Sequence, residues 1–322
     1  MSNIKFKVGS LYAGVGGICL GFKQAGYEIS WSNEWDKNAC ITYRNNFKHN
    51  LIEGDIWKIN EKLLQKVDVI IAGFPCQSFS VAGYRKGFKD ERGTHFFRII
   101  DFIDYHEPKA IFLENVKNLK GHDKGNTFKT IKKSLNKRGY VVYYKIINTK
   151  ELTEIPQNRE RIFIVCFKKN LLNKLEFNFP ENKNNPKPIA DYLDKNNIDP
   201  TLVYSQKFKH FDKLKNEIKS EKTLYQWRRQ YVRENKNNLC PTLTANMGTG
   251  GHNVPLILQN EIIRKLSPRE CFRFQGFPED FKLPKIAKSH LYKQAGNSVS
   301  VPVIKKIADE IKKVINNFTE VK

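Results

Sequence analysis

The sequence predicts an α/β protein built on a doubly wound sheet, with a smaller and less regular second domain. Over residues 1 to about 167, short β-branched runs alternate with longer amphipathic ones. That alternation is what a parallel sheet covered by helices on both faces requires. After Pro180 the chain turns polar and rich in Pro and Asn (ENKNNPKPIADYLDKNNIDP), and no strong periodicity of either kind follows to about Gln259. With 322 residues, the chain also exceeds what one hydrophobic core usually serves.

The elements follow in order. KFKVGSLYAG reads as a strand that breaks at glycines, where GICLGFKQAG begins a helix. EISWSNE is the next strand and DKNACITYRNNF the next helix. DVIIAGFP, apolar through Val69, Ile70 and Ile71, reads as a buried strand. GTHFFRIIDFIDYH and NTFKTIKKSLNKRG are helices on either side of the strand KAIFLENV, and YVVYYKIIN and RIFIVCF complete the sheet. In the tail, Val303, Ile304, Ile307, Ile311, Val314 and Ile315 recur at spacings of 3 and 4, one apolar face of a closing helix.

Composition narrows the function classes. There are 56 basic and 33 acidic side chains, a formal charge of +23, spread along the chain with no polybasic tail. Such an excess attracts polyanions, so nucleic acid is the leading partner class. No stretch approaches the roughly 20 apolar residues of a membrane span, and the start lacks a signal peptide's apolar block, so a cytoplasmic protein is expected. Six cysteines at 19, 40, 76, 166, 240 and 271, without a CxxC pair, argue against both a disulfide framework and a zinc site. No metal is expected.

Four motifs carry chemistry. Tyr12-Ala13-Gly14-Val15-Gly16-Gly17 lies between a strand and a helix, where glycine lets backbone turn tightly against a ligand. Glu34-Trp35 ends the second strand, offering a carboxylate to ribose hydroxyls and an aromatic face to an adenine, and Gly54-Asp55-Ile56 ends a third segment. Ordinary turn and packing chemistry is the alternative for these three. Next, Phe74-Pro75-Cys76-Gln77 puts a thiol at the end of a buried strand, where thiolate chemistry is available, although many cysteines are simply small buried hydrophobes. Third, Glu114-Asn115-Val116 ends an apolar strand, and an unpaired carboxylate does not belong in a core, so it is expected to face the same crevice. Fourth, Gln157-Asn158-Arg159-Glu160-Arg161 precedes the last strand. Two arginines at i, i+2 on extended chain point the same way and make an anion or carbonyl clamp, or else a solvated charged edge.

AGFPCQSFS, LENV, PQNRERIFIV, LSPRECFRFQGFP and QAGNSV, in this order and over nearly the whole chain, resemble the bacterial DNA (cytosine-5)-methyltransferases of restriction-modification systems. The resemblance implies a catalytic domain with the S-adenosylmethionine-dependent methyltransferase fold, here 1–179 plus 285–322, completed by a C-terminal helix beside the first motif. It also implies a target-recognition domain and hinge at 180–284. Cys76 would attack carbon 6 of the cytosine, Glu114 would serve ring nitrogen 3, and Arg161 with Arg159 would bind the base carbonyl or orient the loop and thiolate. The S-adenosyl-L-methionine site would draw on Tyr12, Ala13, Gly14, Gly16, Gly17, Glu34, Trp35, Asp55, Ile56, Phe74, Asn297, Ser298 and Val299. The target base lies inside the duplex, so base flipping is implied, with the loop from Ser80 to Gly93, Ser80 and Arg92 among its residues, contacting phosphates.

Two positions depart from the usual pattern. The aromatic of the glycine turn, commonly Phe, is Tyr12, and the usual Leu of the RGTxFF segment is His95, expected to pack as a neutral imidazole. Double-stranded DNA is the expected partner. Arg228 and Arg229, within YQWRRQYVR, are candidates to read base edges, and Thr242, Thr244, Gly250 and Gly251 resemble the Thr-Leu segment and glycine-rich loop of recognition domains. A monomer is expected, with a restriction endonuclease as a separate companion. A tRNA cytosine-5 methyltransferase on the same scaffold is a rival, disfavoured by the roughly 80 residues between Pro180 and Ile262. A catalytically silent DNA-binding protein is another, and the intact Cys76, Glu114, Arg159 and Arg161 speak against it.

Overall fold

A computed structural model describes residues 5–75, 95–172, 176–181, 185–195, 198–249 and 252–319. The chain divides into two compact units: unit 1 is 1–147, 160–181 and 303–322, and unit 2 is 148–159 and 182–302. The compact division thus places 148–159 and 285–302 with the second unit, not with the larger domain.

Unit 1 is built on β1 (Lys7–Leu11), α1 (Gly17–Gln24), β2 (Glu28–Glu34), α2 (Lys37–Asn46), β3 (Asn50–Glu53), β4 (Val69–Gly73), α3 (His95–His106), β5 (Ala110–Val116), α4 (Asn126–Lys137), β6 (Tyr140–Asn148) and β7 (Glu160–Lys168). The sheet order is β3-β2-β1-β4-β5-β7-β6. β1 pairs in parallel with β2 and β4, and β4 with β5, but β7 runs antiparallel to β5. The sheet is thus parallel from β3 through β5, as expected, and turns antiparallel at β7, because apolar periodicity reports which residues are buried and carries no strand direction. Val69 to Ala72 and Ala110 to Leu113 are fully buried, as strands covered on both faces must be. The chain order reverses between β1 and β4, and the ligand crevice of a doubly wound sheet opens at the carboxyl ends of such a strand pair.

Helices are positioned by local chemistry. The Asp36 side chain caps α2 by accepting from the Asn38 and Ala39 N–H groups. α3 buries Phe96, Ile99, Ile100 and Ile103 on one face. The C-terminal helix, Val301–Thr319, buries all six apolar residues of its expected face. It returns against α1, where a Cβ on Gly21 would lie 2.6 Å from Ile304, and Tyr27 donates its hydroxyl to the Ala308 carbonyl at 3.0 Å. Among the described residues, no helix is long and apolar enough to cross a membrane.

Unit 2 holds an antiparallel sheet in the order β11-β10-β8-β9, from β8 (Tyr225–Trp227), β9 (Val232–Glu234), β10 (Val254–Gln259) and β11 (Ile262–Lys265). Tyr225, Trp227, Val254, Leu256 and Ile263 pack with Leu214 and Ile218 into its core. Arg264 and Glu270, 1% and 0% exposed, form a buried ion pair with contacts at 2.6 and 2.8 Å. Glu270 also completes a capping box with Ser267 at the start of the helix Pro268–Phe274.

Candidate active site

Three strand ends of unit 1 are tied into one frame. The Ala13 N–H donates to the Asn33 carbonyl at 2.9 Å, and the Gly54 N–H donates to the Glu34 carbonyl at 2.9 Å. The Asn33 side-chain amide donates to the carbonyls of Ile52 and Gly54 at 3.0 and 2.9 Å. Glu34 is buried, and its carboxylate accepts from the N–H groups of Gly14 at 2.7 Å, Trp35 at 2.9 Å and Asp36 at 2.8 Å. Burial pushes the Glu34 carboxyl up, opposed by those N–H donors.

This frame suits an adenosine-bearing ligand. Trp35 presents its ring to solvent at 74% exposure. Among the described residues, a Cβ placed on Gly14 or Gly54, both at positive φ, meets no atom within 4 Å beyond its own chain neighbours. The exposed Asp55 caps the helical turn Ile56–Lys58 through the Trp57 N–H at 3.1 Å, while Ile56 is buried beneath it. Carboxylates can accept from ribose hydroxyls, and an open indole face can stack on an adenine. Ala13, Gly16 and Gly17 are buried: Gly16 turns at φ 89 against Phe47, and Gly17 starts α1.

A second group of side chains lies on β4, β5 and β7. The register pairs Gly73 with Glu114 across β4 and β5, and Val116 with Arg161 across β5 and β7. Glu114 and Arg161 are thus diagonal neighbours on one face, within reach of long side chains. Their side chains meet at 3.2 Å, Arg161 Nε to Glu114 Oε1, with 16% and 11% exposure. Beside Glu114, the Asn115 side-chain amide donates to the Phe74 carbonyl at 2.9 Å, a tie that the sequence does not announce. Phe74 is buried and Pro75 follows it; Cys76, Ser80, Arg92, Gly250 and Gly251 lie outside the described residues.

Arg159 has other partners. Its guanidinium, in a residue 2% exposed, donates to the carbonyls of Leu243 at 3.0 Å, Gly296 at 3.2 Å and Ser298, all in unit 2. The clamp of two parallel arginines is therefore replaced by two separate roles, because β7 begins only at Glu160 and Arg159 precedes the extended register. Arg159 ties the Thr-Leu segment to the GNSV turn. Gly296 makes that crossing possible, since a Cβ there would lie 2.2 Å from the Thr244 backbone. Thr242 donates to the Asn158 carbonyl at 2.6 Å and Thr244 to the Asn246 side chain at 2.7 Å. Asn297 is exposed and Ser298 and Val299 are buried. Arg228 and Arg229 form the turn of the β8–β9 hairpin, Arg229 at φ 64 and exposed. Among the described residues, no group of three His, Cys, Asp or Glu side chains could hold a metal ion.

Residues 6–313 match the family of C-5 cytosine-specific DNA methylases. The chain is 55% identical over 311 residues to the type II methyltransferase M.Bsp6I of Bacillus sp. (strain RFL6), covering 95% of this chain and 98% of that one. It is 38% identical over 319 residues to M.HhaI of Haemophilus parahaemolyticus, covering 95% and 94%. Among solved structures, S. pombe Dnmt2 methyltransferase superposes with a TM-score of 0.74 at 16% identity, over 97% of this chain and all of that one, a likeness of fold. The chain belongs to the C-5 cytosine-specific DNA methylase family.

Proposed function

We propose that this enzyme transfers a methyl group from S-adenosyl-L-methionine to carbon 5 of a cytosine within a short duplex DNA sequence, as the modification enzyme of a restriction-modification system. The observation that carries the reading is the Glu114–Arg161 pair at adjacent strand ends, in the unit that also holds the Glu34–Trp35 frame. Glu34, Trp35 and Asp55 would hold the cofactor, which supplies an electrophilic methyl group when bound.

The chain's own residues do the rest. The target carbon sits within the base stack, so the cytosine is turned out of the duplex before reaction. The Cys76 thiolate adds to carbon 6, forming a carbon–sulfur bond and making carbon 5 nucleophilic. Glu114 holds a proton at ring nitrogen 3, so that negative charge does not accumulate on the ring, and Arg161 orients Glu114 and binds the base carbonyl. Once carbon 5 is methylated, a base removes its hydrogen and the Cys76 sulfur departs, restoring the ring. Asn115, next to Glu114, donates to the Phe74 carbonyl at the end of β4.

The test is tritium transfer from labelled S-adenosyl-L-methionine into unmethylated duplex DNA, with tRNA as a parallel substrate and bisulfite sequencing of the product. Label at one repeated DNA context is expected; label on tRNA alone overturns the substrate. Cys76→Ser should abolish transfer while specific DNA binding persists, and retained turnover would sink the covalent route.

A further inference from the structure

We propose that His95 is a positioning residue of the cofactor pocket, acting through a hydrogen bond to Tyr12; this rests on the cofactor reading above. The two positions at which the sequence departs from the usual pattern, 83 residues apart, meet in the structure. The Tyr12 hydroxyl lies 3.0 Å from His95 Nδ1 and 3.2 Å from the His95 carbonyl oxygen, with the two rings edge-on at 5.3 Å. A hydroxyl carries one hydrogen. Both contacts are satisfied together when Tyr12 donates to the carbonyl and His95 Nδ1–H donates to the phenol oxygen. Burial lowers the His95 pKa against a weaker opposing influence of Asp55, which favours the neutral imidazole.

The backbone shows what the contact is for. Tyr12 sits at φ 54, a left-handed conformation that bulky residues adopt only where surrounding contacts hold them. Directly after it, the Ala13 N–H binds the Asn33 carbonyl and the Gly14 N–H binds the Glu34 carboxylate. Fastening the Tyr12 ring to the first residue of α3 therefore holds the turn that orients Glu34. A Phe–Leu pair fills the same space without polar atoms. A Phe–His mixture leaves the imidazole Nδ1–H without its acceptor, and a Tyr–Leu mixture leaves the phenol only the backbone carbonyl of residue 95.

The experiment is calorimetric titration of S-adenosyl-L-homocysteine into wild type, Tyr12→Phe, His95→Leu, the double variant and His95→Asn, with amide hydrogen exchange of the ligand-free proteins. One lost hydrogen bond corresponds to roughly a two- to tenfold loss of affinity. Each single variant should show such a loss together with faster exchange across 12–16. The double variant should bind at least about threefold better than the product of the two single losses predicts. His95→Asn, whose amide can replace the Nδ1–H donor, should bind within about twofold of wild type. Losses that multiply in the double variant, or wild-type affinity and exchange in both singles, overturn the proposal. If a leucine variant loses protection along the whole chain, His95→Asn decides: near-wild-type binding supports the contact, and binding as weak as His95→Leu refutes it. Wild type that binds no ligand would instead overturn the cofactor reading, and the exchange of residues 12–16 would then decide alone whether the contact holds the turn.

Discussion

Two arginine–glutamate pairs, one in each unit, show how the same chemistry is used for opposite ends. In unit 2, Arg264 and Glu270 are sealed from solvent, joined by two contacts, and their remaining capacity is used locally: Arg264 also donates to the Gln259 side chain, and Glu270 accepts from the Ser267 and Asp194 N–H groups. In unit 1, Glu114 and Arg161 meet at 3.2 Å and keep 11% and 16% exposure at the end of a strand. A saturated, dry pair can only be scaffold, because a ligand would have to displace good hydrogen bonds. A pair at a strand end that retains accessibility can be reached by a substrate's polar groups.

The comparison is tested most severely in unit 2. Glu270→Gln leaves Arg264 charged and buried without its counterion, a change that costs about 3–5 kcal/mol in such pairs. Chemical denaturation should show that loss. Replacing both partners, Arg264→Met with Glu270→Leu, should lose much less, and equal losses would show that the capping box matters more than the charges. Glu114→Gln should do the reverse: unfolding midpoints near wild type, with methyl transfer slowed on the order of 100- to 10,000-fold, the range expected for a lost proton-transfer group. A destabilised Glu114→Gln, or one with full turnover, would remove the distinction between the two pairs.

How much of this was legible in the sequence follows from what each signal encodes. The strands with long β-branched runs were readable, because burial on both faces demands continuous apolar residues. β3 was not: Asn50–Glu53 is four residues long and carries neither alternation nor an apolar run. In unit 2, β8 and β9 are three residues each, too short for any period, and the polar composition after Pro180 hid a sheet with its own core. Glu114 and Arg161 were visible because a charge at the end of an apolar strand needs a reason. The partners of Arg159 were not visible, since backbone carbonyls leave no mark on a sequence. The role of Asn115 was hidden likewise, its acceptor being the Phe74 carbonyl.

His106 provides the smallest test, at the opposite limit from the saturated pair. It is buried among Trp31, Phe102 and Tyr105, and among the described residues neither ring nitrogen has a hydrogen-bond partner. Burial, reinforced by Lys66 and opposed by Glu61, lowers its pKa to about 4. The folded state therefore keeps this imidazole neutral while the unfolded chain takes up a proton below about 6.5, so its contribution is intact above that pH and is lost as pH falls toward about 4. His106→Phe removes the titration and keeps an apolar ring against Trp31. Between pH 7 and pH 5 the wild type should lose on the order of 1 kcal/mol more stability than this variant, read from urea midpoints at the two pH values. Parallel declines would mean that the imidazole finds a partner when protonated, and that burial without a partner is not what sets its acid sensitivity.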